Sequence, residues 1–297
     1  MRIIVAGASG FVGRRLTPAL SEAGHAVRAM TRRPGTYSGS GEPVYGDVDD
    51  PASLPAAMHG CTAAFYLVHA LDRADFEDRD AAAARAFSRA AADAGLQRIV
   101  YLGGLGDSDD ELSPHLRSRR AVERLLGGDG VPVTTVRAGI IVGHGGISWE
   151  ITRQLVENLP VMITPRWVHT RTQPVAIADV IRYLVGVVDS AEAADRVFEI
   201  GGPEVLEYLE MIRRVARLQG RRTIVLPVPW LSPSLSSWWL ALVTDVDVPT
   251  GRSLVDSMTN EVVVHETSIR TVVPFEPTDY DTAVLQALGE RAKADRA

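Results

Sequence analysis

Residues 3–13, Ile-Ile-Val-Ala-Gly-Ala-Ser-Gly-Phe-Val-Gly, decide the fold of this chain. Ile3–Ala6 is a short apolar run typical of a buried strand. A helical pattern then runs from about Phe11 to Ala23 and is closed by Gly24. A glycine-rich turn between a strand and a helix predicts a loop that holds a pyrophosphate at the helix N-terminus. The alternative is a glycine-rich turn that binds no ligand. The residues of this loop that are candidates for binding a dinucleotide are Gly7, Ser9, Gly10, Phe11, Val12 and Gly13.

Strand and helix signals alternate through the first half of the chain. Each predicted strand is a short apolar run, and helical spacing follows it, as in the helix that Ser113 and Pro114 would begin. Strands that alternate with helices of this length favour βαβ units. The predicted fold class is therefore α/β, a Rossmann-type doubly wound parallel sheet. The further predicted strands are Ala26–Met30, Val44–Gly46, Ala63–Val68, Ile99–Leu102 and Val133–Arg137.

The pattern divides the chain into two parts. Residues 1–145 are predicted to form the dinucleotide-binding core. Residues 146–297 are expected to complete the sheet, at about 170–200, and to form a smaller substrate-binding lobe. The elements predicted in this second part are helices at Ile147–Asn158, Ala176–Val188 and Leu206–Leu218 and strands at Val197–Ile200 and Thr223–Val228.

The overall composition excludes several classes of protein. The net charge of −6 and the pI of about 5.7 argue against nucleic acid or an anionic membrane as a partner bound by bulk charge. Cys61 is the only cysteine, so neither an intramolecular disulfide nor a cysteine-rich metal site is expected. No histidine pair has metal-ligand spacing with a carboxylate partner, so no metal is predicted. The N-terminus lacks the apolar region of a signal peptide, which favours a cytoplasmic location.

One uncharged stretch, Thr223–Thr244, contains Trp230 and Trp238. Its length could span a bilayer, but its prolines and serines argue against a membrane helix, and no integral membrane segment is predicted. The stretch is interpreted either as a packed strand, turn and helix or as an apolar wall of a substrate pocket. These interpretations are compatible, because ligand pockets are mostly apolar.

The end of the second predicted strand reads Thr31-Arg32-Arg33-Pro34, where an NAD site usually carries a ribose-binding carboxylate. Two arginines at this place favour a 2′-phosphate, and so NADP(H) over NAD(H). The alternative is a solvated basic turn in an arginine-rich protein. Asp47 and Val48 follow the third strand, where Asp47 either reaches the adenine edge or forms a turn.

Several further motifs resemble the atypical NAD(P)H-binding branch of the short-chain dehydrogenase/reductase superfamily. They are the glycine spacing, Thr31–Pro34, Gly46–Pro51, Tyr66–His69, Tyr101–Gly104, Arg137–Gly143, Pro160–Trp167 and Phe198–Pro203. The match covers most of the chain and is most similar to bacterial and archaeal relatives of the complex I nucleotide-binding accessory subunit and of NmrA-like redox sensors. The resemblance implies that Arg137–Ile140 lies near the nicotinamide. The residues that it places along the cofactor are Leu67, Val68, Leu102, Gly103, Ala138 and Ile140.

The chain departs from the enzymes of this superfamily at the catalytic positions. Those enzymes carry a serine after the fifth strand, then a tyrosine and, four residues later, a lysine. Here glycines occupy the serine region, His115 stands at the tyrosine position and Arg119 at the lysine position. Lys293, the only lysine among 31 basic residues, lies in the C-terminal tail. The usual proton relay is therefore in doubt, because a guanidinium does not deprotonate near neutral pH.

His115 and Arg119 are four residues apart on a predicted helix and so share one face. Arg119 can hold a ribose hydroxyl or a phosphate, while His115 can donate a proton, with its pKa lowered by the guanidinium. The alternative is an exposed first-turn histidine without a role. His69, after the fourth strand, is the second candidate proton donor, and bound water is another. The substrate-pocket candidates are Gly104, His144, Trp167, Trp230 and Trp238.

Three functions are compatible with these features. The first is an NADP(H)-dependent oxidoreductase that reduces a carbonyl or conjugated double bond of an apolar small molecule. The second is a non-catalytic NADP(H)-binding redox sensor or assembly partner, which the missing Ser-Tyr-Lys set favours. The third, a nucleotide-sugar epimerase, is least favoured because that chemistry also uses the tyrosine-lysine pair. A homodimer through the helices after the fourth and fifth strands is possible.

Overall fold

The computed structural model describes residues 1–69, 75–106, 112–159, 161–164, 166–222, 224–227 and 256–296. Within them, seven strands form one sheet in the order β11-β6-β5-β4-β1-β2-β3, and every neighbouring pair is parallel. This arrangement confirms the predicted Rossmann-type α/β fold. The strands of the sheet are β1 Arg2–Ala6, β2 Ala26–Thr31, β3 Glu42–Tyr45, β4 Ala63–Tyr66, β5 Arg98–Gly104, β6 Val133–Ala138 and β11 Val197–Ile200.

Helices cover both faces of the sheet and bury two apolar clusters. On one face α1 and α6 pack against the sheet around Leu16, Leu20 and Val180. On the other face α2, α3 and α4 pack around Phe87 and Val122. The helices are α1 Gly13–Glu22, α2 Leu54–Met58, α3 Phe76–Asp93, α4 Pro114–Leu126, α5 Ile147–Asn158, α6 Ile177–Asp189 and α7 Tyr208–Leu218.

The sheet order reverses beside β1, which pairs with β2 on one side and β4 on the other. In open parallel sheets, ligands bind in the crevice at the carboxyl ends of the strands where the order reverses. Gly7 follows β1 and Leu67 follows β4, so both lie at this crevice. The fold therefore places the glycine-rich loop where a dinucleotide binds.

The second half contributes both to the sheet and to a third apolar cluster. Strand β11 pairs with β6, so a segment close to 200 completes the sheet. Helices α5 and α7 pack with the C-terminal helix Tyr280–Ala294 around Trp149, Met211 and Val284. The remaining elements are the short strands β7 Ile141–Val142, β8 Val161–Thr164, β9 Arg171–Thr172, β10 Val175–Ala176, β12 Leu206–Glu207 and β13 Ile224–Pro227, the 3₁₀ turns Pro34–Thr36, Pro51–Ser53, Arg166–His169 and Ala191–Ala193, and the helix Ile269–Val272.

Some element boundaries differ from the sequence predictions. Helix α1 begins at Gly13 rather than at Phe11, because the two preceding residues belong to the turn. The predicted helix Leu206–Leu218 begins at Tyr208, since Leu206–Glu207 pairs with β9 as a strand. In the uncharged stretch from Thr223 onward, only 224–227 are described, as strand β13. The tryptophans at 230 and 238 lie outside the described residues.

No helix in the described part of the chain is long and apolar enough to cross a membrane.

Candidate active site

The glycines of the loop between β1 and α1 are required by its backbone. Gly7 has a φ of +84°, and a Cβ there would lie 3.0 Å from the carbonyl oxygen of Leu67. A Cβ on Gly13 would lie 2.2 Å from the carbonyl oxygen of Gly7, well inside van der Waals contact. These two glycines therefore allow the turn to close tightly against β4 and the start of α1.

The outer side of this loop suits an anion. The Gly10 N–H donates to the Gly7 carbonyl at 3.0 Å, which holds the turn in place. Ser9 and Gly10 are exposed, and the N–H groups of Phe11 and Val12 meet no acceptor among the described residues. Unpaired N–H donors and the positive end of the α1 dipole would hold the pyrophosphate of a dinucleotide.

The loop is supported from the second half of the chain. The Phe11 ring packs on Gly143 and Gly146, where an added Cβ would lie 3.2 Å and 2.7 Å from its Cζ. The carbonyl of His144 accepts from Arg14 at 3.0 Å and from Arg15 at 2.8 Å. The imidazole Nδ1 of His144 lies 3.2 Å from Glu150. The structure therefore places His144 beside the glycine-rich loop, within hydrogen-bonding distance of a side chain of α5.

Arg32 and Arg33 follow β2 and are exposed. Neither guanidinium has a carboxylate partner among the described residues. Within the described part of the chain, both guanidiniums therefore lack a carboxylate at the carboxyl end of β2, where a 2′-phosphate is predicted.

Asp47 forms a turn, as one of its two interpretations expects. Its Oδ1 accepts from the N–H of Asp49 at 3.0 Å, and its own N–H donates to Ser53 Oγ at 2.9 Å. Val48 is buried in the cluster that contains Met30. The turn lies after β3, and contact of Asp47 with an adenine stays a prediction.

The residues expected along the cofactor lie on one edge of the sheet. Leu67 and Val68 follow β4, Leu102 and Gly103 end β5, and Ala138 ends β6. Ile140 follows two residues later and is buried. Parallel strands bring their carboxyl ends to the same edge, so these positions share the crevice with the glycine loop.

The catalytic candidates are brought together at the neighbouring part of this edge. Ser113 caps α4 by accepting the N–H of Leu116 at 3.3 Å, which fixes the first turn containing His115. Arg119 follows one turn later, and His69 comes from the loop after β4. The Arg119 guanidinium, surrounding protein and the His115 ring, in that order, lower the pKa of His69 well below its usual value. The side chain of His69 nevertheless stays open to solvent.

Burial, followed by the Arg119 guanidinium, lowers the pKa of His115 to about 3. Both imidazoles are therefore neutral near pH 7, while Arg119 carries a permanent positive charge. The lowered pKa agrees with the direction expected beside a guanidinium. A neutral imidazole can donate its N–H to an oxygen that gains negative charge, as a histidine does in triosephosphate isomerase. The cluster is chemically suited to stabilising an oxyanion.

Gly104 lies in the region where the resemblance places the family serine, and it packs closely against α4. A Cβ at this position would lie 2.9 Å from Leu116 Cδ2 and 3.5 Å from Arg119 Cγ. The glycine thus lets α4 approach the end of β5 closely. A serine at 104 would require Leu116 to move.

The tyrosines near the cluster are structural. Tyr66 is fully buried and packs edge-on against Phe87, with ring centroids 4.9 Å apart. Tyr101 donates its hydroxyl to the Arg119 carbonyl at 3.3 Å. Burial raises the pKa of both phenols, so each stays protonated. Tyr101 therefore supports the helix turn that carries Arg119.

The distant segment 256–264 also contributes to the site, although no sequence signal predicted it. Asn260 Oδ1 accepts the main-chain N–H of Ser113 at 3.0 Å, and Ser257 Oγ lies 3.2 Å from Ser113 Oγ. Further along, Val262 packs against Gly139, where an added Cβ would lie 3.6 Å away. The segment thus joins the start of α4 to the end of β6. No local pattern could have indicated this contact between distant residues.

Two further expectations concern the pocket and metals. The backbone of Trp167 lies in the 3₁₀ turn Arg166–His169. Within the described ranges, no group of three or more His, Cys, Asp or Glu residues could hold a metal ion.

A parallel sheet with an anion-binding loop after its first strand defines a dinucleotide-binding protein. Residues 7–166 match the family model described as NAD(P)H-binding, which covers more than half of the chain. The chain belongs to this NAD(P)H-binding family. The NAD(P)H-binding family that the resemblance predicted is thereby confirmed.

Several known proteins are similar to this chain in sequence or in structure. A (4-alkanoyl-5-oxo-2,5-dihydrofuran-3-yl)methyl phosphate reductase of Streptomyces griseus is 29% identical over 231 residues, 74% of each chain. The photosystem II assembly factor Ycf39 of Trieres chinensis is 23% identical over 77% of this chain and 72% of its own. The Escherichia coli NADPH-dependent quinone oxidoreductase, solved with NADPH, superposes with a TM-score of 0.79 at 17% identity. That match covers 97% of this chain and 100% of the solved chain, and it shows the shared fold.

Proposed function

We propose that this protein is an NADPH-dependent reductase of a carbonyl or conjugated double bond in an apolar small molecule. The main observation that supports this proposal is the clustering of Arg119, His115 and His69 at the crevice that holds the glycine loop. The Streptomyces griseus relative is named as a reductase, and its named substrate carries an oxo group and an alkanoyl group. Reduction of such a group builds negative charge on an oxygen, which this cluster can stabilise.

Bound NADPH would supply the hydride. The backbone donors of the glycine loop would hold the pyrophosphate, and Leu67, Val68 and Leu102 would lie along the nicotinamide side. His115 is proposed to donate its N–H to the substrate oxygen and to pass a proton by accepting another at its second ring nitrogen. Arg119 stabilises the same negative charge, and His69 or water is the second proton source.

NADP(H) is proposed over NAD(H) on the exposed Arg32 and Arg33. Both lie after β2, where the ribose of a bound dinucleotide falls in this fold. Their guanidiniums can grip a 2′-phosphate in bidentate fashion. The absence of a carboxylate partner among the described residues supports this role.

The test is single-turnover oxidation of bound NADPH with a panel of quinones, enones and ketones, followed by the nicotinamide absorbance. Decay with at least one class is expected, and His115→Phe should abolish it. Tight NADPH binding with no decay in any arm would contradict the reductase proposal.

The second candidate is a non-catalytic NADP(H)-binding partner in assembly or redox sensing. Two observations favour it: the tyrosine-lysine pair is replaced by His115 and Arg119, and one relative is named as an assembly factor. The same single-turnover experiment separates it from the reductase.

A further inference from the structure

The guanidinium of Arg119 differs from most half-buried arginines in its partners. Arg98, which likewise has no carboxylate partner among the described residues, donates to the main-chain carbonyls of Val187, Val188 and Ser190. Four other buried or half-buried arginines have a carboxylate within 4.0 Å. They are Arg15 with Glu290, Arg137 with Glu123, Arg153 with Glu150 and Arg214 with Glu204. Among the described residues, Arg119 has no such carboxylate, and the Tyr101 hydroxyl donates to its main-chain carbonyl at 3.3 Å.

Two carboxylates in the neighbourhood of Tyr101 and Arg119 are already engaged. Glu123, one turn further along α4, receives two hydrogen bonds from Arg137, at 3.0 Å and 2.6 Å. Asp80 accepts from Ser118 Oγ at 3.0 Å and is buried. The neighbouring imidazoles of His69 and His115 are neutral near pH 7. The described surroundings therefore leave the charge of Arg119 without a compensating anion.

A partly buried cation is costly unless a counter-ion accompanies it. A guanidinium matches the geometry of carboxylate and phosphate oxygens, with two parallel N–H donors. A ligand anion at this position would supply the missing charge. The question is which ligand carries it.

The anions of a dinucleotide have other places in this fold. The pyrophosphate is proposed at the loop between Gly7 and Gly13, and the 2′-phosphate at Arg32 and Arg33. Arg119 lies instead beside His69 and Gly104, at the ends of β4 and β5, where the reacting part of the substrate would bind.

Building on the proposed reductase function, we propose that the substrate is an apolar molecule bearing a carboxylate or phosphate group, and that Arg119 binds this group. With a neutral acceptor, no permanent anion among the described residues or the substrate would balance the charge of Arg119 before reduction.

The experiment measures binding of benzoate, phenyl phosphate and benzyl alcohol to the protein saturated with NADP⁺, by calorimetry. At least one anion is expected to bind about tenfold or more tightly than benzyl alcohol, and the preferred arm identifies carboxylate or phosphate. Arg119→Met should remove this preference, and Arg119→Lys should keep part of it. Arg117→Met is the matched control, because Arg117 lies on the same helix, is exposed and pairs with Glu77.

An unchanged anion preference in Arg119→Met would overturn the proposal. So would a large loss of NADPH affinity in that variant with anion binding intact, since Arg119 would then belong to the cofactor site. The experiments distinguish a failure of the anion-site proposal from a failure of the reductase proposal. Reduction of neutral and anionic acceptors at equal rates overturns the anion site alone, whereas Arg119-dependent anion binding without NADPH oxidation overturns the reductase alone.

Discussion

The main-chain N–H of Ser113 donates to Asn260 Oδ1 at 3.0 Å, across 147 residues of sequence. Ser113 is the N-cap of α4, the helix that carries His115 and Arg119. The segment 256–264 therefore holds the start of this helix from outside the sheet. Helix position and proton donation should depend on this hydrogen bond.

Replacement of Asn260 by leucine tests that dependence. A buried N–H without an acceptor costs about 1–3 kcal/mol, so the unfolding free energy in urea should fall by about that amount. The turnover number should fall while NADPH affinity holds, because the glycine loop is not touched. Asn260→Asp keeps the acceptor oxygen and should retain more of both properties. Equal effects of the two changes would contradict the positioning role.

Gly13→Ala should abolish NADPH binding or folding. The added Cβ would lie 2.2 Å from the Gly7 carbonyl oxygen, so the glycine-rich loop between β1 and α1 must open. The matched control is Gly289→Ala, in the C-terminal helix, where no atom lies within 4 Å of an added Cβ. The control should fold and be slightly more stable, by about 0.5–1 kcal/mol. NADPH affinity and thermal unfolding measure both outcomes.

The arginine pair after β2 should determine cofactor preference. Replacing Arg32 and Arg33 together by serine should weaken NADPH binding by about ten- to hundredfold, because charge-assisted hydrogen bonds to the 2′-phosphate are lost. NADH has no such phosphate, so its affinity should hold. Titration of both cofactors gives the ratio. Parallel losses for NADPH and NADH would argue against 2′-phosphate recognition.

Hydride transfer should show little dependence on pH near neutrality. The pKa of His115 is lowered to about 3, so the ring is already neutral across this range. A histidine acid of ordinary pKa would lose activity about tenfold per pH unit above roughly 6.5. Single-turnover rate constants from about pH 5.5 to 8.5 should therefore be level. A tenfold decline per unit would assign the proton to a charged imidazole.

The same pKa has a consequence for stability. The folded pKa of His115 lies below the unfolded value of about 6.5, so the unfolded chain binds more protons between these limits. The contribution of this group to stability is therefore present above about pH 6.5 and is lost as the pH falls toward 3. His115→Phe removes it, so the wild type should lose stability relative to the variant on acidification. Urea unfolding at several pH values checks the sign.

Local sequence signals predicted much of the fold because they reflect local physics. The bounds of Ile147–Asn158 and Val197–Ile200 follow from apolar spacing and agree with the structure. The shared helix face of His115 and Arg119 follows from their spacing, and parallel strand ends place His69 nearby.

Local sequence signals could not predict contacts between residues that are far apart in the sequence. The bond between Ser113 and Asn260 depends on how the whole chain folds back on itself. The packing of Phe11 on Gly146 likewise depends on the tertiary fold. The C-terminal helix Tyr280–Ala294 has apolar residues without a strong amphipathic stripe, so its periodicity is weak.

The helices that cover the two faces of the sheet are completed at different times during synthesis. Every helix on one face, from α2 to α4, is complete once Leu126 has left the ribosome. The opposite face needs α6, which ends at Asp189, and β6 gains its outer neighbour only with β11. A nascent chain shorter than this exposes an apolar sheet surface and an open strand edge. Translation pauses before residue 200 would therefore increase aggregation and chaperone demand more than pauses after it.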